Sequence, residues 1–179
     1  MNKIVFYSII TSLLIVNSCP NQTVKQDFIT GKVVKVLDGD TYDLLLNDHT
    51  TLRVRMDGID APEKGMPFSK KATQYLGELC KNQTVRIRTG NVDRYGRTIS
   101  FSYLEDGREL SREMLKAGYA WHYKAYNSDP ELAALETEAR QAKRGLWIDK
   151  HPMAPWDNRK LHRQGQSTKE LFNIDENNE

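Results

Sequence analysis

The apolar residues of this chain change period twice between Phe28 and Leu104, and that change limits the fold more than any other feature. Val33, Val34, Val36 and Leu37 form an extended run closed by Asp38-Gly39, and Thr41 to Leu46 forms a second, closed by Asn47-Asp48-His49. In a third run, Thr51 to Ile59, Leu52, Val54 and Met56 alternate with Arg53, Arg55 and Asp57. A period of two sends neighbouring side chains to opposite faces, so this run predicts a strand with its arginines on one face. Ala72, Tyr75, Leu76, Leu79 and Cys80 then fall at i, i+3, i+4, i+7 and i+8, which is one face of a helix. Strand patterns return at Thr84 to Arg88 and Thr98 to Leu104, with Val85, Ile87, Ile99, Phe101 and Tyr103 expected inward.

Leu110, Met114 and Ala117 predict a short helix stopped by Gly118. Asp129-Pro130 supplies the cap and first position of another, with Leu132, Leu135, Ala139 and Ala142 as its apolar face and Gly145 as its stop. Three strands, a helix, two strands and then helices predict an α+β, mainly β fold over residues 28–156. It is a five-stranded OB-type barrel with one helix inserted between strands three and four and two C-terminal helices. Residues 157–179 are polar with few apolar side chains and are expected to form a tail without fixed structure.

The first nineteen residues are a separate object. Lys3 is followed by a largely apolar run from Ile4 to Val16, too short for a membrane-spanning helix but suited to a signal peptide. The run ends in Val16-Asn17-Ser18-Cys19, which looks like a lipoprotein processing box with Cys19 as the lipidated residue. A plain secretory signal cut nearby is the alternative. Either places the protein outside the cytoplasm, the first with a lipid anchor in a membrane, and residues 20–27 then serve as a polar tether. With Cys19 lipidated, Cys80 has no disulfide partner and belongs on a buried helix face.

A length of 179 residues suits one domain, expected as a monomer, and a net charge of +2 says little about partners. The four histidines (His49, His122, His151, His162) show no metal-ligand spacing, which argues against zinc. The chain has no P-loop, no nucleophile elbow and no dinucleotide glycine pattern.

Taken alone, Asp38-Gly39-Asp40-Thr41 reads as a hairpin turn, Ile59 to Glu63 as a loop, and Asp93 to Arg97 as a polar turn. Together they bring two aspartates, a glutamate and two arginines to strand ends of one small barrel. Carboxylate oxygens without histidine or thiolate suit a hard cation such as Ca2+. A divalent cation beside guanidinium groups suits a phosphodiester, whose transition state gathers negative charge on the phosphoryl oxygens.

From Thr30 to Trp147 the chain resembles the staphylococcal nuclease (thermonuclease) family. The segments VLDGDT (Val36 to Thr41), RMDGIDAPE (Arg55 to Glu63) and DRYGR (Asp93 to Arg97) carry the resemblance, in family order. It implies that Asp40, Asp60 and the Ala61 carbonyl hold Ca2+, that Glu63 is the general base, and that Arg55 and Arg97 bind phosphate. Asp38 then lies near the metal without touching it. The implied activity is Ca2+-dependent cleavage of DNA or RNA at the P–O5′ bond, leaving 3′-phosphate ends. Trp121, Tyr123 and Tyr126 fall where the family places tyrosines that stack on bases, although the residue types are not all the same. Ala61 stands where some members have Thr, and the loop Lys64 to Pro67 is short. A family domain that binds nucleic acid without cutting it is the alternative, and it would be expected to lack some of Asp40, Arg55, Asp60, Glu63 and Arg97.

Overall fold

The computed structural model describes residues 28–88 and 90–166. The apolar segment before Cys19, Cys19 itself, the tether and residues 167–179 lie outside the described residues. Strands β1 (Phe28–Val36), β2 (Thr41–Leu45) and β3 (Thr51–Met56) form an antiparallel meander, and β1 also pairs with β5 (Thr84–Arg88). A register shift between Val33 and Lys35 marks a bulge in β1, which explains how Val34 and Lys35, neighbours in sequence, are both exposed.

The run Thr98 to Leu104 is divided at Phe101 into β6 (Thr98–Ser100) and β7 (Ser102–Leu104). β6 pairs parallel with β3, and β7 pairs antiparallel with β5. One chain segment thus serves both ends of the sheet and closes it, so the fold is the OB-type barrel expected from the element order. The inward face of this segment corrects the alternation read from the sequence. Thr98, Ser100, Ser102 and Leu104 are buried, while Ile99, Phe101 and Tyr103 are half-buried. The barrel interior there is filled by Tyr42, whose hydroxyl donates to Ser102 Oγ at 2.8 Å, so the crossing segment must present small side chains.

β3 also ends earlier than its alternation suggests. Gly58 adopts φ +76°, the chain turns, and Ile59–Asp60 becomes β4, paired with β8 (Trp121–His122). Helix α1 (Ser69–Cys80) buries Ala72, Leu76 and Cys80 against the barrel. Helix α2 (Leu110–Lys116) packs against α1 and β7, and α3 (Pro130–Gln141) packs against α2 and β8. Asp129 caps α3 by accepting from Glu131 N at 2.8 Å, with Pro130 in the first turn.

A smaller apolar cluster of Trp121, Ala139, Leu146, Trp147 and Ala154 lies beyond α3, around a 3-10 turn at Gly145–Ile148. It supports an element that the polarity of the C-terminal sequence hid. Helix α4 spans Pro155–Arg163, so the domain does not stop at Trp156, and residues 157–163 are helical rather than an unstructured tail. Its polar composition misled because a one-sided helix on a finished domain needs few apolar residues: Pro155 and Asn158 are its buried positions. Among the described residues, no helix is long and apolar enough to cross a membrane.

Candidate active site

The turn between β1 and β2 is closed by Leu37 N donating to Thr41 O at 2.9 Å, and it carries Asp38 and Asp40. Asp38 Oδ1 accepts from Asp40 N at 3.0 Å, which shapes the turn. Asp40 is then tied to two other segments. Its carbonyl accepts from Met56 N at 2.8 Å, and its Oδ2 accepts from Ala61 N at 2.7 Å. The short β4–β8 ladder places Asp60 beside it, 2% exposed.

Arg55 joins these acids. Its Nη2 lies 2.9 Å from Asp60 Oδ1 and 3.2 Å from Asp40 Oδ2, while Nη1 donates to the Met56 and Ile59 carbonyls at 2.7 and 2.9 Å. One guanidinium therefore fixes the β3–β4 turn and both aspartates.

From the other side comes Arg159 of α4. Its Nη2 is 2.6 Å from Asp60 Oδ2, and its Nη1 is 2.7 Å from Glu63 Oε1. Neighbouring Asn158 donates from Nδ2 to Glu63 Oε2 at 3.3 Å. All of these except Asn158 line one open cleft of about 1360 Å3, together with Arg97, Tyr123 and Tyr126.

The electrostatics of this cleft are those of crowded acids. Burial, followed by the charge of Asp40, pushes Asp38 up to about 6. Burial and then Asp40 also raise Asp60, even though Arg159 and Arg55 oppose the rise. Four carboxylates (Asp38, Asp40, Asp60, Glu63) face two guanidinium groups (Arg55, Arg159), leaving two negative charges over when all are ionised.

That donor set fits a hard divalent cation: oxygen ligands, excess negative charge and solvent access through the cleft. Among the described residues, no three His, Cys, Asp or Glu side chains form a closed cage. A cation here would take two carboxylates and a carbonyl from the protein, with water or substrate completing a shell of about six to eight oxygens.

The staphylococcal nuclease homologue family matches residues 53–149. The chain belongs to the staphylococcal nuclease family. It is 43% identical to an uncharacterized endonuclease of Escherichia coli over 128 residues, covering 72% of this chain and 83% of that protein. It is 40% identical to a micrococcal nuclease of Shigella flexneri over 136 residues, covering 70% and 78% respectively. An uncharacterized endonuclease of Haemophilus influenzae is 33% identical over 153 residues, covering 86% and 83%.

Against the staphylococcal nuclease pattern, the structure brings Asp40, Arg55, Asp60, Ala61 and Glu63 to one place. Arg97 lines the same cleft, but its guanidinium is held by Asp93 of its own turn, with Nε and Nη2 at 2.8 and 2.7 Å from Asp93 Oδ2.

The aromatic residues divide. Tyr126 is 78% exposed at the cleft, and Tyr123 is half-buried there. Trp121, read from the sequence as a base-stacking residue, is instead 7% exposed and sits edge-on to Trp147 and Trp156, at ring centroid distances of 4.4 and 5.6 Å. It belongs to the smaller core, whereas Tyr123 lies in the turn after β8 ends at His122 and lines the cleft.

Asn158 and Arg159 were missed altogether. The one available signal was the Ala154-Pro155 start followed by amphipathic spacing, a weak helix cue at a polar chain end.

Proposed function

We propose that this chain is a Ca2+-dependent nuclease that hydrolyses phosphodiester bonds of DNA and/or RNA, at the P–O5′ bond, leaving 3′-phosphate ends. The observation that carries the proposal is the single nitrogen of Arg55 lying 2.9 Å from Asp60 and 3.2 Å from Asp40. That contact gathers the acids of distant segments into one oxygen-rich, cation-demanding site beside Glu63 and an open cleft. The names of the endonuclease and micrococcal nuclease relatives support the same conclusion.

Asp40, Asp60 and the Ala61 carbonyl would hold Ca2+, which when bound supplies Lewis-acid neutralisation of the phosphoryl oxygens. Glu63, with 37% of its side chain exposed, accepts a proton from the attacking water as the new P–O bond forms and the bond to the 5′ oxygen breaks. Arg97, which lines the same cleft just before β6, meets the charge that develops on the phosphoryl group. Arg55 keeps both aspartates oriented and adds a fixed positive charge behind them. Tyr126 offers its face to bases at the cleft rim, beside Tyr123, one face of which is covered by Trp156. The protein acts outside the cytoplasm, held to a membrane by a lipid on Cys19; the apolar run ending at Ser18-Cys19 supports this part.

The purified protein, incubated with single- and double-stranded DNA and RNA, is expected to cut in Ca2+ and not in excess chelator. Full cleavage in chelator would sink the metal assignment. Tight binding in Ca2+ without any cutting would replace the enzyme by a binding module. Mass spectrometry of the mature N-terminus tests lipidation, and an unmodified N-terminus elsewhere would refute the anchor.

A further inference from the structure

Helix α4 is built onto the site. Pro155 and Asn158 are buried, Trp156 lies on Tyr123 with planes 3° apart, and the helix presents an amide and a guanidinium to Glu63 from 95 and 96 residues away. Asp60 shares Arg55 with Asp40, and Arg159 is the second cation on its carboxylate. The atoms that Arg159 holds, Asp60 Oδ2 and Glu63 Oε1, are those that the proposed reaction requires for a cation and for a water proton. Its side chain is 33% exposed on the cleft wall, so the guanidinium can exchange partners without leaving the cleft.

We infer that Arg159 is a third phosphate-binding arginine of the site, resting on Asp60 and Glu63 until substrate arrives and then donating to a substrate phosphate. The inference rests on the nuclease function proposed above.

Geometry makes the exchange short. A phosphate oxygen on a cation held by Asp60 lies within about 5 Å of that carboxylate, twice a Ca–O distance. Arg159 Nη2 is already 2.6 Å from the same carboxylate, so rotation about its own side-chain bonds carries it across while α4 stays docked. The planar fork can then meet two phosphate oxygens at once. The net charge of the cluster is unchanged by the exchange, because the guanidinium moves between neighbouring anions.

The test uses the full chain with Glu63→Gln as the parent, so that a single-stranded oligonucleotide stays intact in Ca2+. Binding is titrated over a series of salt concentrations with and without Arg159→Gln, and Ca2+ binding is measured separately by calorimetry. Losing one charge-assisted contact is expected to weaken oligonucleotide binding roughly tenfold. The slope of log affinity against log salt should become shallower by about 0.7, one phosphate contact on a single strand. Ca2+ should bind as tightly as before or more tightly, because a competitor for Asp60 is gone.

Unchanged oligonucleotide affinity and slope overturn the inference. So does a parallel loss of Ca2+ affinity, which would make Arg159 a positioning group for Asp60. Tryptophan fluorescence reports whether α4 remains docked. If Arg159→Gln loosens it, Arg159→Met, which keeps the side-chain stem, is read against the same two outcomes. Failure of the wild-type protein to cut nucleic acid in Ca2+ would overturn the nuclease function and is seen in a different assay.

Discussion

Trp156 lies flat on Tyr123, with ring centroids 5.3 Å apart and planes 3° from parallel. The contact joins α4, the last described helix, to the segment after β8 that lines the cleft. Deleting Asp157 to Glu179 removes Asn158, Arg159 and most of α4, so it should cost about 1–3 kcal/mol, a fall in Tm on the order of 5 °C. Thermal melts of the full and shortened chains check this. In a double-mutant cycle on Tyr123 and Trp156, the rings should couple by about 0.5–1.5 kcal/mol.

Glu63→Gln keeps the side-chain shape but removes the proton acceptor. The expected result is a fall in kcat of roughly 10² or more. Nucleic-acid binding in Ca2+ should be retained, since one negative charge near a polyanion is lost. Cleavage as fast as the parent's would refute the role of Glu63.

Arg97 is aimed by Asp93 through both Nε and Nη2. Arg97→Lys keeps the charge and loses that two-pronged hold, so kcat should drop steeply with modest change in KM. Asp93→Asn should reproduce part of the drop by freeing the arginine. Steady-state kinetics on both variants at fixed salt distinguish an aimed guanidinium from a general charge effect.

Gly39 sits where the turn that carries Asp38 and Asp40 meets α1. A Cβ built there would lie 2.7 Å from Ala61 Cβ and 2.8 Å from Ala72 Cβ. Gly39→Ala must push Ala61 and α1 outward, costing about 1–3 kcal/mol by overpacking. Ca2+ affinity should fall with it, because Asp40 is tied to Ala61 N at 2.7 Å. Calorimetric Ca2+ titration beside a thermal melt would show the two losses together, and a loss of neither would contradict this packing.

Cys80 is fully buried, and burial pushes its thiol up to about 12. Alkylation under native conditions followed by peptide mapping should leave Cys80 unmodified, and unfolding should make it reactive.

Much of the barrel was legible because its strands and helices carry their own periods. The alternation through Leu52, Val54 and Met56, the helical spacing of Ala72, Leu76 and Cys80, and the Asp129-Pro130 start each describe a local surface that must be buried. The acids and Arg55 were legible for a related reason: they sit at strand ends, and their residue types state the chemistry they can perform.

What the sequence determined by itself was the order of the main strands and helices as far as α3, the barrel they form, and the list of oxygen and guanidinium groups at its strand ends. Tertiary structure alone decided that Trp121 packs inward while Tyr123 faces the cleft, that Ser102 rather than Phe101 meets Tyr42, and that Arg159 reaches Asp60. The Arg159–Asp60 contact spans 99 residues and leaves no period in the chain, because a guanidinium finds its partner through the docking of whole elements. Local pattern reports which face of a segment is buried; only packing reports which distant side chain completes it.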